Sequence, residues 1–434
     1  MKPIILLSLS FIQLTSACLI LQPTCDCQIM AITRANIDWW VQWDNTFRPN
    51  LENRQLNIPK ITRSQCNVTV QCSEGYSLVV FNQQDGKNYE NRTIYGSCTR
   101  GAKSWQVTDG TSSKPEKVDT LYATCVDFKE TLLCSPEDST TFLFAYSNDL
   151  NASIFPNMLS QFKNGSAYPT ANFATFAHVR FDMQVEEKIS YFEDLESWLD
   201  SLSSNRPDPS LQFTDPKSGS DILKVIEKFL NNTDYPICGS RIVVLMKRYP
   251  NEPEAQKLIE RLRKYHVTVF IETVGTMLGG SSPETMQTIV TKTNGYSTVA
   301  DENDQFTTKG PYFAGVFLAY SYNAKVSGTG SIQLPPMILP FPSSYILTFN
   351  FQNNLPIDSF QGGRLEWYSP EYPRNSSYID IIDYQGSYAA GAKFEYTTYE
   401  MKISYRYSKT ELEQMRIRVY ALINPVNYWV PYDN

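Results

Sequence analysis

Histidine is nearly absent from this chain of 434 residues: only His178 and His266 occur. A multi-histidine zinc centre is thereby excluded, and any imidazole acid–base chemistry has two candidates. A basic excess is missing as well, since 38 Lys and Arg stand against 45 Asp and Glu for a net charge of −7. Without it, counterion release from a phosphate backbone supplies little affinity, so no nucleic-acid partner is expected. Beyond the N-terminus no apolar run approaches the ~20 residues that cross a bilayer; those near Val243 and Val267 break within about six residues. No transmembrane segment is expected. The polar end Trp429–Asn434 lacks the hydrophobic tail of a lipid-anchor signal. There is no Gly-x-Ser-x-Gly elbow, phosphate loop or dinucleotide fingerprint. With 42% hydrophobic residues and its Gly and Pro dispersed, the chain is neither collagenous nor disordered.

What is present points to an oxidising compartment. Met1-Lys2, the apolar stretch Ile4–Leu14 and the small residues Thr15-Ser16-Ala17 form a signal peptide, residues 1–17, so the protein is expected to be secreted and extracellular. Sequons begin at Asn67, Asn91, Asn151, Asn164, Asn231 and Asn375, as suits a glycoprotein. Eight of the nine cysteines precede residue 135 and the ninth is Cys238, a disulfide pattern. Cys18 is kept or lost according to whether cleavage follows Ala17 or the next residue.

Three units follow the leader. Residues 18–133 hold Cys25, Cys27, Cys66, Cys72, Cys98 and Cys125, whose pairing the sequence leaves open. The alternation in Cys66–Cys72 and the run Tyr76–Phe81 predict strands, hence a small β module; the cysteine spacings are not those of a zinc finger, and no metal is expected. Trp39, Trp40 and Trp43 are assigned to its core, with an aromatic binding face as the alternative. Residues 134–310 alternate strands (Thr141–Tyr146, Phe173–Phe181, Arg241–Met246, Val267–Val274, Tyr296–Ala300) with amphipathic stretches, predicting a doubly wound α/β domain. Residues 311–434 change to period-2 strands, predicting an all-β sandwich; Met415, Ile417, Val419 and Ala421 share one face, and Arg416 and Arg418 point the other way.

The first stretch, with Cys25-x-Cys27, Cys66-x5-Cys72, Cys98 followed by Trp105, and Cys125, resembles a six-cysteine domain of unknown function of nematode secreted proteins, and the C-terminal segment resembles the end of the same group. The middle stretch resembles a von Willebrand factor A-like domain. Ala145-Tyr146-Ser147-Asn148-Asp149 falls where that family has Asp-x-Ser-x-Ser, Gly219-Ser220-Asp221 where it has Gly-Thr, and Lys247-Arg248 where a strand ends in Thr-Asp-Gly. The resemblance implies a ligand site at Ser147, Asp149 and Ser220 from which the family's first Asp is missing, and into which Lys247-Arg248 brings positive charge that repels a dication. No metal or cofactor is expected there. It also implies neighbouring first and fourth strands, and from that a Cys134–Cys238 bond.

For catalysis, His178 lies mid-strand and His266 between a helix and a strand, and both are assigned to packing or capping. Asp182 with Glu186-Glu187, and Glu193-Asp194, are assigned to solvated faces. The expected protein is a non-enzymatic secreted glycoprotein with a recognition or adhesion role towards an extracellular protein or carbohydrate. A structural component of matrix or mucus and a host-defence effector are the alternatives.

Overall fold

The computed structural model describes residues 25–432 apart from 83, 91–92, 100, 102, 112–113, 130–131, 165–172, 275, 301–315, 352–358, 371, 382–386 and 423–426. The leader, Cys18, Asn91 and the side chain of Asn164 lie outside the described residues. The chain is mostly β with few helices and carries four disulfides.

The cysteine-rich unit contains β1 (Gln28–Ala31), the one-turn helix α1 (Ile37–Trp40), β2 (Leu56–Asn57), β3 (Lys60–Ser64), β4 (Asn67–Gln71), β5 (Ser77–Phe81), β6 (Gly86–Tyr89), β7 (Thr93–Cys98), β8 (Trp105–Thr108), β9 (Glu116–Val118) and β10 (Thr120–Val126). One sheet runs β1-β10-β5-β6 with β2 also on β10, and the other β3-β4-β7-β8-β9. Alternating Val68, Val70, Leu78, Val80, Ile94 and Leu121 meet between them. A core this small is pinned by bonds that tie one sheet to the other: Cys27–Cys98 and Cys72–Cys125, with Cys25–Cys66 at the chain entrance.

The tryptophans do not enter that core, contrary to expectation. Helix α1 has a single turn and turns only Ile37 inward, and the interior beside it is filled by Ile32, Val41, Leu51 and Leu56. Trp39 and Trp43 stay 63% and 74% exposed, and Trp40 is half-exposed.

The middle unit is built from β11 (Thr140–Ser147), α2 (Phe155–Asn164), β12 (Phe173–Phe181), β13 (Ser190–Phe192), α3 (Leu195–Ser204), α4 (Ile222–Leu230), β14 (Arg241–Met246), α5 (Gln256–Lys264), β15 (Thr268–Val274), α6 (Pro283–Lys292) and β16 (Tyr296–Ala300). The sheet order is β13-β12-β11-β14-β15-β16, parallel except for β13 at one edge. Strand β11 is buried throughout, so both its faces are apolar: Phe142, Phe144 and Tyr146 pack against α2 and α3, and Leu143 and Ala145 against the side of α4, α5 and α6. The amphipathic stretch read as Phe192–Leu202 divides into β13 and a helix starting after Asp194, whose carboxylate caps Ser197 N at 2.8 Å. Cys134 and Cys238, at the entrances of the adjacent strands β11 and β14, are bonded.

The last unit carries β17 (Phe317–Val326), β18 (Thr329–Ile338), β19 (Ser343–Asn350), β20 (Phe360–Tyr368), β21 (Ser377–Ile381), β22 (Ser387–Phe394), β23 (Thr398–Tyr407) and β24 (Glu413–Ala421) in two antiparallel sheets, β17-β24-β19-β22 and β18-β23-β20-β21. Leu347, Phe349, Met401, Ile403, Ile417 and Val419 fill the space between. The outer face of β24 is not solvated. Arg416 gives its Nε to Thr291 Oγ1 (2.7 Å), and Arg418 gives its own to the carbonyls of Asn294 and Gly295 (3.2 and 3.1 Å), so this face is pressed onto the end of α6. Beyond β24, Trp429 stacks on His266 at 4.7 Å and ties the chain end to the α/β unit.

Candidate functional site

The carboxyl ends of β11, β12 and β14 converge where a parallel sheet of this order opens a crevice. Ser147 ends β11 and gives its hydroxyl to Asp182 Oδ2 at 2.6 Å; the Asp149 amide in turn donates to Ser147 Oγ at 3.3 Å. Asp182 follows β12 in the left-handed region (φ 62°), a conformation that Asp tolerates better than most residues. It exchanges bonds with Asp221: Asp182 N to Asp221 Oδ1 at 2.8 Å and Asp221 N to Asp182 Oδ1 at 3.3 Å. The Ser220 side chain bonds Asp182 as well.

Arg248 follows β14 and enters this crevice from the other side. Its Nε is paired with Asp149 Oδ2, its Nη2 reaches Asp149 Oδ1 at 3.5 Å, and its Nη1 donates to the carbonyls of Asp215 (3.3 Å) and Ser218 (3.2 Å). Both partners are buried, with side-chain exposures of 4% and 0%. The loop at Gly279 closes over the guanidinium: a Cβ there would lie 2.5 Å from Pro216 O and 3.0 Å from Arg248 Nη1. Gly280, at φ +83°, lies so close to the Tyr249 carbonyl that a side chain has no room.

Burial governs the electrostatics. It pushes the Asp182 carboxyl up to about 7, against the downward pull of the Ser147 and Ser220 hydrogen bonds, and it raises Asp221 as well. Asp182 thus keeps a proton in mildly acidic solution, while the Asp149 carboxylate faces the Arg248 cation.

The sequence-derived set Ser147, Asp149 and Ser220 is brought together, but as parts of an internal polar network. The set does not suit a divalent ion. The Asp149 oxygens are engaged by a buried guanidinium that also donates to two carbonyls, and an entering cation would have to expel that positive charge. Asp182, the hub of the cluster, was assigned to a solvated face and is fully buried. The available signal was its place immediately after a buried strand. Its companions divide: Glu187 pairs with Arg180 and Glu186 with Lys228.

His178 Nε2 meets Ser201 Oγ at 2.9 Å beneath α3, its ring stacked on Phe192, and burial pushes it down to about 4. His266 is likewise pushed down to about 4, between Trp429 and Tyr432. Of the sequons, Asn67, Asn151 and Asn231 are exposed and Asn375 is half-buried. Asn151 Oδ1 accepts from Ser153 N within its own sequon. No helix among the described residues is long and apolar enough to cross a membrane.

Residues 322–422 match a domain of unknown function, DUF7154. The match falls on the C-terminal sandwich, whereas the unknown-function resemblance drawn from the sequence lay chiefly on the cysteine-rich unit. No curated protein sequence matches the chain. Among solved structures, the human COPII-coat protein Sec24c aligns with 91% of this chain and 65% of its own, at 9% identity and a TM-score of 0.35. The SpRpn10 VWA domain aligns over 41% of this chain and 94% of its own, at 10% identity and 0.25. The pilus adhesin SpaC of Lactobacillus rhamnosus GG aligns over 84% and 50%, at 8% identity and 0.28. The chain spans less than two thirds of Sec24c and half of SpaC. None of the three carries a role over to this chain.

Proposed function

We propose that this is a secreted, glycosylated and non-catalytic recognition or adhesion protein, of the nematode type with a six-cysteine module ahead of a von Willebrand factor A-like domain. In it the α/β unit serves as a scaffold that needs no cation. Four disulfides are compatible with an extracellular setting. The observation that carries the reading is the buried Arg248–Asp149 pair at the strand ends. A guanidinium held by a carboxylate and two carbonyls supplies from within the chain the positive charge that an ion would otherwise bring, so ligand capture there through a shared metal has no open position. Binding then belongs to surfaces away from this crevice.

The test is the melting temperature of the intact protein in EDTA and then in millimolar magnesium or manganese. An unchanged midpoint is expected, because only a ligand of the native state stabilises by mass action. A rise of several degrees that disappears in Asp149→Ala refutes the reading. Saturable binding of the monomer to extracellular material supports recognition, whereas self-association growing with concentration favours a structural component.

A further inference from the structure

The most exposed aromatic side chain on the cysteine-rich unit rests against a guanidinium that is itself fixed. Trp43 is 74% exposed, yet the Arg48 guanidinium lies 3.7 Å from its ring centroid. Arg48 is fixed in turn, giving Nη1 to the Val41 carbonyl at 2.7 Å and pairing with Asp38. An indole in water normally gains nothing from being immobilised; here one face is clamped and the ring borders a cleft of about 300 Å3 whose other walls include Arg34, Asp38, Glu52 and Asn427. Arg34 is committed to the backbone, donating to Arg54 O at 2.7 and 3.1 Å. The volume is at the low end for small-ligand clefts (~300–1,000 Å3).

The composition of the cleft selects its ligand. Two guanidinium groups face two carboxylates, so the walls are neutral in sum and exert no net pull on an anionic lipid or an acidic peptide. A clamped aromatic plate favours a flat ligand whose C–H groups meet the electron-rich ring face, and Asp38, Glu52 and Asn427 offer acceptors to a ring of hydroxyls. Pyranose sugars combine these features. We propose that the Trp43 cleft, formed with Arg48, Asp38, Glu52 and Asn427, binds a neutral carbohydrate of the extracellular surface. Trp39, 63% exposed and 4.7 Å from Tyr396 between ring centroids, supplies a second aromatic on the same short stretch of chain. The proposal rests on the recognition reading and gives it a ligand class. Arg48 acts as a positioning residue, since preorganising Trp43 removes part of the ordering cost of binding.

The experiment titrates the full, disulfide-bonded protein with cellohexaose, laminarihexaose, mannohexaose and N-acetylchitohexaose, following tryptophan fluorescence and heat. A heparin hexasaccharide and phosphatidylserine vesicles serve as anionic probes. At least one neutral hexasaccharide is expected to saturate with a shift in emission, insensitive to salt. Trp43→Ala should weaken it about tenfold (~1.4 kcal/mol) with the melting temperature unchanged, because the ring is exposed. Arg48→Lys should weaken it less, and Trp39→Ala tests the second ring. Silence towards every neutral sugar, or binding that Trp43→Ala leaves intact, overturns the proposal. Salt-sensitive binding of heparin or vesicles that Trp43→Ala abolishes overturns it in favour of an anionic partner. Adhesion of the full chain to intact matrix or mucus, measured in parallel, separates the two levels. Equal adhesion by wild type and Trp43→Ala removes the sugar cleft and leaves the recognition reading standing, whereas no adhesion by either, with no sugar bound, removes both.

Discussion

Replacing Arg248 with methionine keeps most of the stem volume and deletes the charge, so it isolates the electrostatic role of the crevice. In the native chain the buried guanidinium neutralises the buried Asp149 side chain and donates to the Asp215 and Ser218 carbonyls. After Arg248→Met the Asp149 carboxylate stays buried beside the Ser147–Asp182–Asp221 network without a counter-charge. Breaking a buried pair on one side costs about 3–5 kcal/mol. In an α/β unit of this size, with each kcal/mol worth ~2–4 °C, the midpoint should fall by roughly 6–20 °C near neutral pH. Adding Asp149→Leu should recover most of the loss, because an apolar pair can replace a buried ion pair at little cost. Urea unfolding of wild type, single and double variants near neutral pH measures both effects. A single variant that loses less than ~1 kcal/mol, or a double variant no more stable than the single, refutes the assignment of Arg248 as the internal cation of this site.

Further expectations concern other parts of the chain. Burial holds Asp182 at about 7 against a reference of 3.8, so the native state keeps a proton that the unfolded chain releases; the stability from this group is complete below about 4 and is lost as pH rises through 7, ~4 kcal/mol in all. Asp182→Asn should flatten that slope in urea unfolding measured from pH ~4 to ~8, and an unaltered slope would place the titration elsewhere. Cys134→Ser with Cys238→Ser opens a link between residues 104 apart and should cost up to ~4.7 kcal/mol, read as a lowered denaturant midpoint. Arg418 is fully buried and donates to the carbonyls of Asn294, Gly295, Tyr322 and Ile417. Arg418→Leu leaves those acceptors without their donor at ~1–3 kcal/mol each, and should lower hydrogen-exchange protection in α6 and β24 together, whereas a loss confined to β24 would show that the arginine does not join the two units.

Where local pattern and final environment coincide, the sequence was sufficient. The alternation of Met415, Ile417, Val419 and Ala421 predicted a strand with one buried face, and all four are buried. It could not say what lies on the other face, since Arg416 and Arg418 have the same period whether they meet water or the Thr291 hydroxyl and the Asn294 and Gly295 carbonyls at and just beyond the end of α6. Helix α1 shows the converse. Three tryptophans within five positions look like core by composition, but a single turn directs few side chains inward, and the aliphatic neighbours had already filled the space. The three residues of β13 are too few to display a period, which is why the strand went unread and its last residue, Phe192, was taken into the amphipathic stretch that follows.

The candidate site divides in the same way. Ser147, Asp149 and Ser220 were found through the resemblance of two short stretches to von Willebrand factor A-like loops, and a short motif is a local property. Asp182 was missed because a carboxylate after a strand is ordinarily solvated. Only the convergence of three parallel strands, bringing residues 35 to 99 positions apart within bonding distance, removed it from water and set Arg248 against Asp149. By itself the sequence determined the succession of cysteine-rich, alternating and all-β segments, the residue types in each and the cysteines available for bonding, because hydrophobic periodicity and covalent chemistry are properties of the chain. Which charges are buried, which aromatic rings are exposed and which cation holds the crevice closed were decided by tertiary structure alone, because burial and charge pairing depend on neighbours that the chain supplies from far away.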